Sequence, residues 1–267
     1  MLRVGSLRPT AAIAFAAGAV LIALTGCGGG GARQQVSPAT FVGEHPIFSL
    51  DPGDPAKLVL KKGDYEIDET VVVPAVAALT IEPGTVLRFA ADQSLLSYAP
   101  IIARGTQDAP ILFAAETPGR AWGIVAVLTK DRSVFEHVRF ADGSSATVDG
   151  QEIPGGLSLV GTQVSITDSE FGNMHGKDAV YVNHGQVVIH DNLFHNTTKD
   201  CLDLDGGSGV IQDNEFRDCG DDGIDLSDNG GVSVFGNTVV VSTGNGIAAD
   251  ENLDQILAKN TVQNGGS

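Results

Sequence analysis

One short pattern recurs through the second half of the chain and restricts the folds open to it. It reads apolar, two variable positions, asparagine, one variable position, bulky apolar. The copies are Ile189, Asn192, Phe194; Ile211, Asn214, Phe216; Val234, Asn237, Val239; and Leu257, Asn260, Val262. Ile166, Ser169, Phe171 and Phe135, Val138, Phe140 continue it upstream with the asparagine replaced. The first apolar positions are separated by 31, 23, 22, 23 and 23 residues. A second set of alternating apolar pairs keeps step: Leu157/Leu159, Val180/Val182, Leu202/Leu204, Ile224/Leu226 and Ile247/Ala249. Short alternating strands closed by Gly, Asn or Asp, with a period near 22 residues, are the coils of a β-solenoid. One such coil cannot bury its apolar face alone, but stacked neighbours make a continuous core. Asn192, Asn214, Asn237 and Asn260 then fall at one bend and hydrogen-bond as a ladder.

The pattern is similar to that of the right-handed parallel β-helix superfamily, which includes pectate lyases and polygalacturonases. The resemblance covers roughly residues 65–262. It is carried by the period, the asparagine ladder and three phrases: Leu79-Thr80-Ile81-Glu82-Pro83-Gly84, Gly105-Thr106 before Pro110-Ile111, and Trp122-Gly123-Ile124. It implies an all-β, single-stranded right-handed parallel β-helix of about eight coils over residues 65–267, with residues 41–64 as an N-terminal cap. The long period places an extended loop at residues 141–156.

The first residues form a separate unit. Arg3 and Arg8 precede an uncharged run from Thr10 to Leu24, which is short for a bilayer span and has the length of a signal-peptide core. Leu24-Thr25-Gly26-Cys27 follows and resembles a bacterial lipobox. That resemblance implies a signal peptide over residues 1–26, lipidation at Cys27 and a flexible tether over 27–40. The chain is then an exported, lipid-anchored envelope protein. Gly28 after the cysteine leans the sorting toward the outer membrane. A net charge of −17 repels phosphate backbones and excludes a nucleic-acid partner. Aromatic content of 6% points to an aliphatic core.

Chemistry is sought where side chains of successive coils stack outward. Tyr181 and Asn183, then Asp203 and Asp205, then Asp225, then Asp250 occupy those positions. At the bend before them stand Asp178, Asp200, Asp221/Asp222 and Asn245. Asp203 and Asp225 are expected one strand spacing apart, at about 4.8 Å, and Asp203 and Asp205 about 6.6 Å apart. Crowded carboxylates have three outcomes: a cation such as Ca2+ held by Asp203, Asp205 and Asp225, a retained proton on one of them, or plain solvation. Asp and Asn also serve as turn formers, an alternative reading of the bend column beside the functional one. Asp is depleted on strands, so Asp203, Asp205 and Asp225 need another reason.

Polygalacturonases place one Asp and an Asp-Asp pair on successive coils, and Asp200 with Asp221-Asp222 resembles that arrangement. The resemblance implies carboxylate catalysis by Asp200, Asp221 and Asp222, and crowding on the strand face adds Asp203 and Asp225 as catalytic candidates, one of them keeping its proton as a general acid. However, Gly244-Asn245-Gly246 stands where the family has Gly-His-Gly, and its later Arg-x-Lys clamp has no counterpart. A lyase reading takes Lys199 or Lys177 as base. The reading adopted is binding of extracellular polysaccharide or another surface ligand, with Tyr181, Asn183, Asp205 and Asp250 as contacts and calcium assisting. A lyase or hydrolase and an adhesive rod remain alternatives. The last coil is expected to expose a self-association edge.

His184, His190 and His195 match no zinc spacing and read as surface residues. Trp122 reads as a core or edge filler, or as a stacking partner for a sugar beside Tyr181. Cys219 falls level with residue 197, four residues from Cys201. That is roughly 13 Å along an extended strand, too far for a disulfide unless the bend closes it.

Overall fold

The computed structural model describes residues 36–148, 150–250 and 254–263. The signal peptide, Cys27 and the tether as far as residue 35 lie outside them. The chain winds through three parallel sheets in strict rotation. Gln186–His190 lies in sheet 1, Leu193–Thr197 in sheet 2 and Leu202–Asp205 in sheet 3, and the next coil repeats the order. Sheet 1 has ten strands, sheet 2 nine and sheet 3 eight. The nine strands of sheet 2 give nine turns, one more than the period implies. The extra turn begins at Asp54–Leu60 and Asp64–Ile67, inside the segment read as a cap. Its end is covered by a helix, Pro38–Glu44, and by the antiparallel strand Ser49–Asp51. The helix starts within the stretch read as tether, with Ser37 as its N-cap and Phe41 buried. No helix among the described residues is long and apolar enough to cross a membrane.

The repeat read from the sequence is the physical register. Ile166, Ile189, Ile211, Val234 and Leu257 pair in succession across sheet 1. From residue 137 on, each sheet 1 to sheet 2 bend has a residue of positive φ just before the ladder position: His137, Asp168, Asp191, Asp213, Gly236 and Lys259. Asp tolerates that left-handed conformation better than most side chains. The asparagines then bond coil to coil. Asn192 Nδ2 donates to Asn214 Oδ1 at 2.9 Å, Asn214 to Asn237 at 3.0 Å and Asn237 to Asn260 at 3.0 Å. Each amide also donates to a strand carbonyl, as Asn214 does to Ile189, so buried polar groups are satisfied.

The core is less purely aliphatic than its composition implies. Phe113, Phe140, Phe171, Phe194 and Phe216 stack in one column under sheet 2, with centroids 4.3 to 5.2 Å apart. A few aromatics suffice because the register spends one per coil. Trp122 belongs to this interior. It stacks on Phe89 at 4.2 Å, is 1% exposed and donates to the Ala141 carbonyl, so no sugar reaches it.

Residues 141–156 are not an open loop. Ala146–Val148 and Gln151–Ile153 pair as a hairpin. Ala146, Val148 and Ile153 pack on Leu96, Ile124 and Ala126. The outward positions of these sheet 3 strands are apolar and need cover, which the hairpin supplies.

Cys201 and Cys219 are joined, with Cα atoms 5.5 Å apart. The 13 Å expectation took the chain as straight. The turn at 198–201 folds it back, and the thiols meet inside the corner between sheets 2 and 3. Replacing both cysteines by alanine is expected to cost about 3 kcal/mol, for a closed loop of this size. Urea denaturation of the double variant measures it, and an unchanged midpoint would show that the corner holds without the bond.

Candidate functional site

The outward column of sheet 3 runs Val72, Leu96, Ala126, Ser158, Tyr181, Asp203, Asp225, Ala248, each residue paired with the next. Its first three members lie under the hairpin. Ser158 is also fully buried; from Tyr181 on the column is half-buried, and Asp203 and Asp225 sit directly side by side as expected. The neighbouring column runs Val160, Asn183, Asp205, Ser227, Asp250. Inward positions hold Leu202, Leu204, Ile224 and Leu226, all fully buried, so alternation forces the aspartates out. Asn183 ties the two columns together. Its amide donates to Tyr181 Oη and to Asp205 Oδ2, each at 3.1 Å.

The bend column has a structural task. Asp200 Oδ1 accepts the backbone N–H of Asp222 at 2.7 Å, and the Asp222 carboxylate accepts that of Asn245. This is a carboxylate counterpart of the asparagine ladder, and it explains these positions as bend formers. It also delivers carboxylates to the edge of the acidic face. Oxygens of Asp178, Asp200 and Asp203 lie within 4.8 Å of one another, as do those of Asp200, Asp221 and Asp222.

Of the three residues expected to share a cation, only Asp203 enters such a group. Asp205 is held by Asn183, and Asp225 stands one coil further along. The oxygens gather where the strands begin: Asp178 opens Asp178–Asn183, which corrects its reading as a bend residue, Asp200 lies just before Leu202–Asp205, and Asp203 is the second residue of that strand. Asp178, 3% exposed, is the member that strand alternation could not single out. The Glu152 edge of the hairpin flanks it through an ion pair to Lys177 at 2.8 Å.

Crowding and burial act on Asp178, Asp200, Asp203 and Asp225 in the same direction. Burial pushes Asp203 up to about 9, reinforced by the charges of Asp178 and Asp225. Burial and then Asp200 push Asp178 up to about 7. Burial and then Asp200 push Asp225 up to about 6. Asp200 is raised by burial as well, against the N–H bond from Asp222. The Tyr181 phenol is pushed up by burial and by Asp205 and Asp203, so it remains a hydrogen-bond donor.

Other expected roles meet the geometry differently. Lys199 is exposed and lies 3.8 Å from Asp221 Oδ2, in a surface ion pair. The oxygens of Asp200 and the Asp221-Asp222 pair are closer than the about 6.5–9.5 Å that leaves room for water in an inverting glycosidase. His190 pairs with Asp191 and His195 with Glu170, while His184 contacts Asn183. The three histidines thus share no centre. Asp250 is exposed at the open end of its column, level with Ser227.

No curated protein and no solved structure matches the chain. The family model described as a right handed beta helix region matches residues 125–265, more than half of the chain and all of the acidic face, so this protein belongs to that family.

Proposed function

We propose that the open half of sheet 3 binds an extracellular polysaccharide at the cell envelope, with a calcium ion bridging ligand and protein. The observation that carries this reading is the convergence of Asp178, Asp200 and Asp203 oxygens within 4.8 Å beside an uncovered sheet face. Three carboxylates supply the hard oxygen donors that Ca2+ takes, with positions left for ligand hydroxyls or water. Tyr181 and Asn183 add a donor and an amide on the same face, the groups that fix polyhydroxylated ligands. The buried Cys201–Cys219 bond supports an oxidising compartment. The lipobox-like Cys27 supports attachment to a membrane by lipid.

Glycan-array binding with Ca2+ and with chelator tests the reading. Ca2+ is expected to raise the melting midpoint and to be needed for retention of the glycan. Asp203→Asn is expected to weaken binding about tenfold or more, which is about 1.4 kcal/mol. A midpoint indifferent to Ca2+ removes the metal, and full binding by Asp203→Asn moves the site elsewhere.

The raised Asp203 favours one second reading, glycoside hydrolysis with Asp203 as proton donor. New reducing ends from a bound glycan would support it. An unsaturated uronate product would instead indicate a lyase.

A further inference from the structure

Sheet 1 carries a surface unlike the rest of the molecule. Gln163–Thr167, Gln186–His190, Ser208–Gln212, Val232–Phe235 and Ile256–Ala258 contain no Asp, Glu, Lys or Arg. In a chain of net charge −17, this is a face on which two copies can meet without like-charge repulsion at the centre. Its middle column is Val134, Ser165, Val188, Val210, Ser233, Ile256 in unbroken register. Val188 is 43% exposed and Ile256 58%, high for large apolar side chains. The adjacent column runs Arg132, Gln163, Gln186 and Ser208, and Gly231 and Asp254, both of positive φ and just before their strands, follow at the same position of the next two coils. Arg132 and Asp254, both exposed, therefore stand at opposite ends of one column.

We propose that this face is a self-association surface that receives a second copy of the chain, related by a two-fold axis parallel to the strands. That operation reverses coil order and keeps each column on itself. Val188 then meets Val210 and Ser165 meets Ser233, while Ile256 lies over the strand Arg132–Glu136, whose Val134 is itself buried. Gln186 meets Ser208, and amides and hydroxyls both donate and accept, so the patch satisfies itself. Arg132 of each copy meets Asp254 of the other at both ends. The acidic residues on the borders of this surface are Asp168, Asp191 and Asp213 at the bends after its strands, Asp228 at a bend before one of them, and Glu136, which ends the strand Arg132–Glu136 and pairs with Arg104. Salt screens their repulsion and also weakens the Arg132–Asp254 pairs, so the two effects oppose each other. Six coils at about 4.8 Å by about five residues at 3.3 Å give a footprint on the order of 450 Å2 per copy. That is at the low end for specific interfaces and corresponds to a weak, concentration-dependent dimer. Sheet 3 stays open on both copies, which makes the pair bivalent.

Sedimentation equilibrium of the full chain carrying Cys27→Ser, from about 5 to 500 μM, tests the surface over the micromolar range of weak pairs. The average mass is expected to climb toward that of a dimer. Val188→Asp, at an exposed position, is expected to abolish the rise while leaving the melting midpoint unchanged. Arg132→Asp and Asp254→Arg are each expected to weaken association, and the double swap to restore it. That rescue requires the two residues to face each other. A monomer at every concentration overturns the proposal. So does association that survives Val188→Asp and is lost in Leu257→Asp, which would move the contact to the last coil.

Discussion

Phe194→Ala is expected to lower stability by about 4 kcal/mol, since a fully buried phenylalanine leaves both its transfer energy and a cavity. Phe194 is 0% exposed and lies between Phe171 at 5.1 Å and Phe216 at 4.8 Å. Its removal breaks the column at an interior coil, so two ring contacts go with it, each on the order of 1 kcal/mol. In a solenoid each coil is held mainly by its neighbours. The coils after residue 194 are therefore expected to melt as a separate, earlier step. Urea titration followed by circular dichroism reads both the size and the splitting of the transition. A loss under about 1 kcal/mol would mean that the column collapses to fill the gap.

Asp203→Asn is expected to raise the melting midpoint at pH 7 by about 5 °C or more. The sign follows from the raised carboxyl. Asp203 titrates at about 9 in the folded chain, well above an unfolded aspartate. Between the two values the native state holds a proton that the unfolded state has released. Stability therefore falls as pH rises from about 4 toward 9, and is greatest on the acid side of that window. Asparagine keeps the shape, cannot ionise and removes this dependence. Asp178 at about 7 and Asp225 at about 6 act with the same sign, so a shallower slope persists. Melting curves from pH 5 to 9 check it, and a wild type that gains stability toward pH 9 would contradict the crowding. Bound Ca2+ is expected to reverse the trend, because it favours the ionised carboxylates.

Much of the acidic face was legible before any coordinates. Asp203 and Asp225 are one period apart, a parallel register makes one period one strand spacing, and alternation turns both outward. The asparagine ladder followed by the same logic. Three features did not. Asp178 reads as a bend residue, but the structure makes it the buried first residue of a strand, paired with Gly155. The grouping of Asp178 and Asp200 with Asp203, rather than Asp205 and Asp225, depends on how far side chains at the strand starts reach. The disulfide depends on how sharply residues 198–201 turn, and counting residues along a straight strand cannot supply that angle.

Taken alone, the sequence determined the period, the register and the negative charge of one outward face. These are one-dimensional properties, and stacking equivalent residues converts them directly into columns. The tertiary structure decided which half of sheet 3 is covered, which oxygens converge and which thiols meet. Those outcomes turn on bend angles and on a hairpin folding back over a surface, where small rotations move side chains by several ångströms and no local pattern records the result.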